Sequence, residues 1–133
     1  MSGEGRGSAI VVLLCLMLFM IMSSEVVQAA TYKVGDAKGW TFNVESWSRG
    51  KRFRVGDILG KKVACFIVFN YNPRLHNLVI VNSVGYKNCN TPPGSRTFTS
   101  GNDRIKLVKG PNNFICSFPR HCQSAMKITV IAT

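Results

Sequence analysis

The chain has 133 residues, 17 of them Lys or Arg and 6 Asp or Glu, for a formal net charge of +11. That length suffices for one domain and excludes a multidomain enzyme. A field of this sign disfavours cationic partners and favours anionic ones: acidic polysaccharide, acidic protein, membrane surface or nucleic acid.

The first predicted element is a leader. Arg6 precedes an unbroken apolar run of fourteen residues, Ala9 to Met22. Such a run is short for a bilayer span and suits the h-region of a secretory signal. Val27-Gln28-Ala29 offers a small-residue cleavage site, so residues 1–29 are expected to leave and residues 30–133 to form the domain. An uncleaved membrane anchor is the competing reading. The end of the chain, Met126 to Thr133, is too short for a lipid-anchor tail, and no Asn-x-Ser/Thr acceptor occurs. The expected product is secreted, extracellular, monomeric and without a membrane span. Losing Arg6, Glu4 and Glu25 leaves 16 cations against 4 anions, and secretion argues against nucleic acid as the partner.

Beyond the leader, short runs rich in Val, Ile, Phe and Tyr predict strands at Phe53–Leu59, Ile67–Tyr71, Leu78–Val81, Arg104–Val108, Asn113–Phe118 and Met126–Ile131. Turn chemistry separates them: Gly35-Asp36, Asn72-Pro73, Pro92-Pro93-Gly94, Ser100 to Asp103 and Gly110 to Asn113. Residues Val44 to Trp47 are expected to form a helical turn. Regular short strands in about a hundred residues indicate an all-β sandwich or barrel.

One stretch is dense in metal-binding side chains. Cys116, His121 and Met126 recur at five-residue steps between two predicted strands, with Pro119 restricting the turn. The only other histidine is His76, just before the strand at Leu78. Two imidazoles, a thiolate and a weak thioether form a donor set that tolerates both Cu(I) and Cu(II), which suits an electron carrier more than a catalyst with an open coordination position. Other readings of the same residues stay open. The four cysteines beyond the leader, Cys65, Cys89, Cys116 and Cys122, allow two disulfides, including Cys116 with Cys122. Zinc on Cys89, Cys116, His121 and Cys122 is a further alternative.

Nearly all of residues 30–133 resembles the phytocyanins, in particular their plantacyanin or basic blue protein subgroup and the similar chemocyanins. The resemblance rests on Gly39-Trp-Thr-Phe42, Trp47, Gly50 through Asp57, Phe69-Asn-Tyr-Asn72, His76-Asn77, Cys89-Asn90, Phe98-Thr-Ser-Gly101, Ile105-Lys-Leu107, and Phe114 through Gln123. It implies a cupredoxin-like Greek-key β-sandwich with one or two short helical turns and one type 1 copper ion. By resemblance the ligands are His76, Cys116, His121 and Met126. Cys89 and Cys122 match the family's disulfide, which closes a loop worth on the order of 3 kcal/mol. Asn77 matches the residue that hydrogen-bonds the copper thiolate.

His121 resembles the exposed ligand through which electrons leave. Arg74 and Arg120, near the two histidines in sequence, are expected to steer an acidic redox protein or a small reductant to that end. An anionic cell-wall polysaccharide is a further expected partner. The implied function is one-electron transfer in the apoplast or cell wall. The alternative is a signalling or adhesion protein of the wall or pollen tube, in which copper is incidental.

The resemblance breaks at Gly60-Lys-Lys-Val-Ala-Cys-Phe-Ile67. Relatives run from Gly-Asp-Ile-Leu directly into Val-Phe-Asn-Tyr. Residues 60–67 are therefore expected to bulge as a loop or to shift the register of half a strand. Reading through a splice donor would encode the same segment. Cys65 is expected as an odd thiol able to dimerise or to capture Cys89 or Cys122.

Overall fold

A computed structural model of the chain describes residues 10–12, 14, 15 and 27–133. Most of the expected leader therefore lies outside the described residues. No helix among the described residues is long and apolar enough to cross a membrane.

Among the described residues, eight strands form two four-stranded sheets. In the first, β3 (Lys61–Asn70) pairs in parallel with β1 (Val27–Lys33) along one edge. Its other edge is shared by β2 (Gly56–Ile58) and β6 (Asn102–Lys106), both antiparallel. The second sheet runs β5 (Arg96–Phe98), β4 (Leu78–Val81), β7 (Gly110–Ile115) and β8 (Lys127–Ala132), all antiparallel. The non-consecutive neighbours β4 and β7 give the crossing connections of a Greek key.

Alternation decides what each sheet buries. Along β3, Cys65, Ile67 and Phe69 face the core, and Leu78, Phe114, Ile128 and Val130 meet them from the second sheet. Trp40 stands edge-on to Phe69 at 5.1 Å between ring centroids, and Phe69 leans on Phe114 at 4.8 Å. Each such pair contributes about 0.5–1.5 kcal/mol beyond the area it buries. Phe53 bridges to Ala132 and so ties the two layers together.

The strands at Leu78–Val81, Ile67–Tyr71, Arg104–Val108 and Met126–Ile131 are found within a few residues of where their apolar patterns place them. The helical turn expected from Val44 is a 3₁₀ turn over Glu45–Ser48. Further 3₁₀ turns occur at Asp36–Lys38 and Cys122–Ser124, and a helix, α1, spans Ser83–Asn88. That helix is capped by the Asn82 side chain, which accepts from Gly85 N at 2.8 Å.

Residues 60–67 require a correction. They do not bulge as a loop: Lys61–Ile67 form the N-terminal part of a continuous β3, with Gly56↔Val63 through Ile58↔Lys61 forming a hairpin with β2. Leu59 and Gly60 close this hairpin with φ of 52° and 75°, the positive values that a two-residue type I′ turn demands. Cys65 is a free thiol, as expected, but it is buried in the core cluster, where burial raises its pKa, and Cys89 and Cys122 pair with each other. Val27–Ala29, the last residues of the expected leader, open β1 and pair with Lys62–Ala64.

Candidate metal centre

The site is assembled at one end of the sandwich from two loops. The first runs from Tyr71 to the start of β4. Asn72 organises it: its carbonyl accepts from Leu75 N and His76 N at 3.0 Å, and its side chain accepts from Arg74 N at 3.0 Å. This tight turn ends with the half-buried His76 beside the first strand of the second sheet. The second loop joins β7 to β8. Cys116 N donates to Met126 O at 3.1 Å, so the loop closes on itself, and Met126 N donates to His121 O at 3.0 Å. Arg120 (φ 69°) and Ala125 (φ 64°) take left-handed conformations that curl the backbone inward on either side of this 3₁₀ turn.

The two loops bring their donor atoms together. His76 Nδ1 lies 3.1 Å from His121 Nδ1, and Cys116 Sγ lies 3.4 Å from His121 Nδ1. All three donors fall within 4.8 Å of one another. Two bonds of about 2.0–2.3 Å to one transition-metal ion span at most roughly 4.6 Å, so the 3.1 and 3.4 Å separations fit a shared ion. Cys116 and Met126 are fully buried, while both histidines are half-buried at the rim. Burial first, and then the neighbouring His121, holds the pKa of His76 below the ordinary imidazole value. That favours the neutral ring, the form that binds a metal.

The surroundings hold these groups in place. Asn77 reaches the cysteine segment through Ser117. Its side-chain oxygen accepts from Ser117 N, and its amide donates to Ser117 Oγ, both at 2.8 Å. The Trp40 indole donates to Asn77 O at 2.9 Å, anchoring the same residue to the core. Cys89 and Cys122 form the disulfide, which fastens the ligand loop to the end of α1. This removes two thiols from the zinc alternative and leaves Cys116 free.

Phe42, in the Gly39–Phe42 motif, has a place at the site that the sequence does not signal. Its ring stands edge-on to His121 at 5.0 Å and to His76 at 5.6 Å, covering both imidazoles. Neither its spacing nor its chemistry signalled this contact, because it joins loops more than thirty residues apart. Phe118 also packs against His121, at 5.8 Å between ring centroids. Exposed Leu75, Phe42 and Pro119 give this end an apolar rim, and Arg74 and Arg120 are exposed on the two histidine-bearing loops.

Residues 40–126 match the family described as a plastocyanin-like domain. The chain is 52% identical to a basic blue protein of Arabidopsis thaliana, over 97% of this chain and 98% of that protein. Among solved structures it is similar to the cucumber basic protein, a blue copper protein, at 55% identity and a TM-score of 0.70, covering 78% of this chain and 100% of the other. It is also similar to spinach plantacyanin, at 47% identity and a TM-score of 0.65 with the same coverage.

Proposed function

Because this chain belongs to the phytocyanin family, in its basic blue or plantacyanin subgroup, and its cofactor is copper, we propose that it carries single electrons outside the cell with His76, Cys116, His121 and Met126 as the copper ligands. The observation that carries this reading is the convergence of two imidazole nitrogens, 3.1 Å apart, with one buried thiol that lies 3.4 Å from the His121 nitrogen. Bound copper supplies a one-electron couple, which soft sulfur donors and imidazoles together serve in both oxidation states.

The chain's own part is to keep those donors still. The Cys116–Met126 and Met126–His121 backbone bonds fix the second loop as a closed unit. The Asn77–Ser117 pair locks that loop to the first, and the Cys89–Cys122 bridge fastens it to α1. A cage that does not rearrange between oxidation states lowers the cost of each transfer, as preorganised polar sites do. His121, at the rim beside Phe42 and Phe118, is the proposed exit for the electron. Arg74 and Arg120 are proposed to steer an acidic redox partner or a small anionic reductant onto this apolar end.

Export is part of the proposal: residues 1–29 act as a secretory leader, and the protein works in the wall space, among anionic polysaccharides as well as redox partners. The test is stopped-flow mixing of the copper-loaded protein with a one-electron reductant and then an oxidant. Reversible cycling of one electron per chain without catalytic turnover is expected. A copper-loaded protein that exchanges no electrons, or that turns over a phenol catalytically, overturns the reading.

A further inference from the structure

We propose that the outer face of the first sheet is a binding site for a linear, carboxylate-bearing polysaccharide. The inference rests on the extracellular setting proposed above and is independent of the copper chemistry.

Strand register defines the face. On β3 the residues that alternate with buried Cys65, Ile67 and Phe69 point outward, and these are Ala64, Phe66 and Val68. Directly opposite them on β1 stand Thr31 beside Phe66 and Lys33 beside Val68. On β6 stand Lys106 beside Phe66 and Arg104 beside Val68. The result is an apolar strip of half-buried Phe66 and Val68, flanked on both sides by exposed Lys33, Arg104 and Lys106.

The charges on this face are uncompensated. Among the described residues, Lys33, Arg104 and Lys106 have no carboxylate partner. The acid nearest in register, Asp103, is buried on the opposite face, where it accepts from Tyr71 and Ser100, and Asp57 lies opposite Lys62 farther along the hairpin. Arg104 instead lays its guanidinium over the Phe66 ring at 3.9 Å. Stacking of this kind leaves the in-plane N–H donors free, and their fork geometry matches a carboxylate. Moreover, Phe66 lies in the segment that departs from the relatives' pattern, so this stacked pair belongs to this chain's own extension of β3.

Shape and spacing select the occupant. Strands lie about 4.8 Å apart and alternate residues about 6.7 Å along a strand, so Lys33 and Arg104 stand roughly 10 Å apart and Arg104 and Lys106 roughly 7 Å apart on a rigid lattice. A repeating linear polyanion can meet such a lattice at several points, while its sugar rings lay their C–H faces on Phe66 and Val68. Insertion into lipid requires projecting apolar side chains. Here Phe66 is flat beneath Arg104 and half-buried. The net charge of +11 brings such a polymer to the surface, and the face gives it a docking register.

The experiment is calorimetric titration of the copper-loaded protein with polygalacturonate oligomers and with their fully methyl-esterified counterparts, which keep the sugar and lose the charge. Binding to the acid form alone is expected, weakening as salt rises. Replacing Lys33, Arg104 and Lys106 by Gln is expected to weaken binding about tenfold or more. Glutamine at Lys51, Arg52 and Arg54, an equal charge change elsewhere, is expected to leave it unchanged. Far-UV circular dichroism and thermal unfolding establish that each variant folds, and the visible copper band reads the metal site separately. Equal loss in both triple variants makes net charge alone the cause and overturns the site. So does unchanged binding in the first variant. Equally tight, Lys33/Arg104/Lys106-dependent binding to phosphatidylserine vesicles overturns it in favour of a lipid surface.

Discussion

The side chain of Asn77 grips Ser117 by both its backbone N–H and its hydroxyl, each at 2.8 Å, across forty residues of sequence. Asn77 follows one proposed ligand and Ser117 follows another, so this pair sets the distance between the two loops. In the Asn77→Leu variant both of these part-buried bonds to Ser117 are lost, each worth about 0.5–1.5 kcal/mol. The expected cost is about 1–3 kcal/mol of stability, with a shifted visible copper band, read by chemical denaturation and absorption spectroscopy. An unshifted band with full stability would show that the loops hold their spacing without this clasp.

The disulfide acts on the same loop from the other side. Cys89 and Cys122 are separated by 33 residues, and opening a loop of that length costs about 3–4 kcal/mol by closure entropy. The Cys89→Ala/Cys122→Ala double variant is therefore expected to lower the denaturation midpoint strongly and to hold copper less tightly. Competition with a copper chelator measures the second effect.

Cys65 is buried at 1% exposure within the core cluster. The native protein is expected to show no rapid reaction of this thiol with an aromatic disulfide reagent and no disulfide-linked dimer. The Cys65→Ser variant puts a hydroxyl in the same apolar site and is expected to cost about 1–3 kcal/mol. Fast modification of the folded protein at position 65 would place the thiol at the surface instead.

The β2–β3 hairpin carries a correctable strain. Leu59 is 96% exposed and sits at φ 52°, a left-handed conformation that a leucine side chain adopts at a cost of about 1–2 kcal/mol. Leu59→Asn gives the hairpin the Asn-Gly pair preferred in this turn and is expected to raise stability by about 1 kcal/mol, measured by thermal unfolding. A lowered melting temperature would mean that the two residues do not form this turn.

These cases mark how much of the molecule was legible beforehand. Cys116, His121 and Met126 could be grouped from the sequence because one short loop carries all three, and His76 followed as the only remaining imidazole. The strands around Leu78 and Ile128 were legible because their apolar runs end at clear turn residues. The β2–β3 hairpin was not, for two physical reasons. Its turn is Leu59-Gly60, without the Asn or Asp that usually signals positive φ. In addition, Val63 to Phe69 is apolar on both faces, so the alternation that separates buried Cys65 and Ile67 from outward Phe66 and Val68 is invisible in hydropathy alone. The Asn77–Ser117 clasp and the Phe42 cover on the histidines depend on loops meeting in space, and no local pattern encodes such a meeting.

The most direct test of the account is the visible absorption spectrum of the purified protein on addition of Cu(II), beside that of the Cys116→Ser variant. An intense thiolate-to-copper charge-transfer band at one copper per chain, absent from the variant, is the predicted result. A colourless complex of the natural sequence, or the same intense band in the variant, would contradict a copper centre built on Cys116.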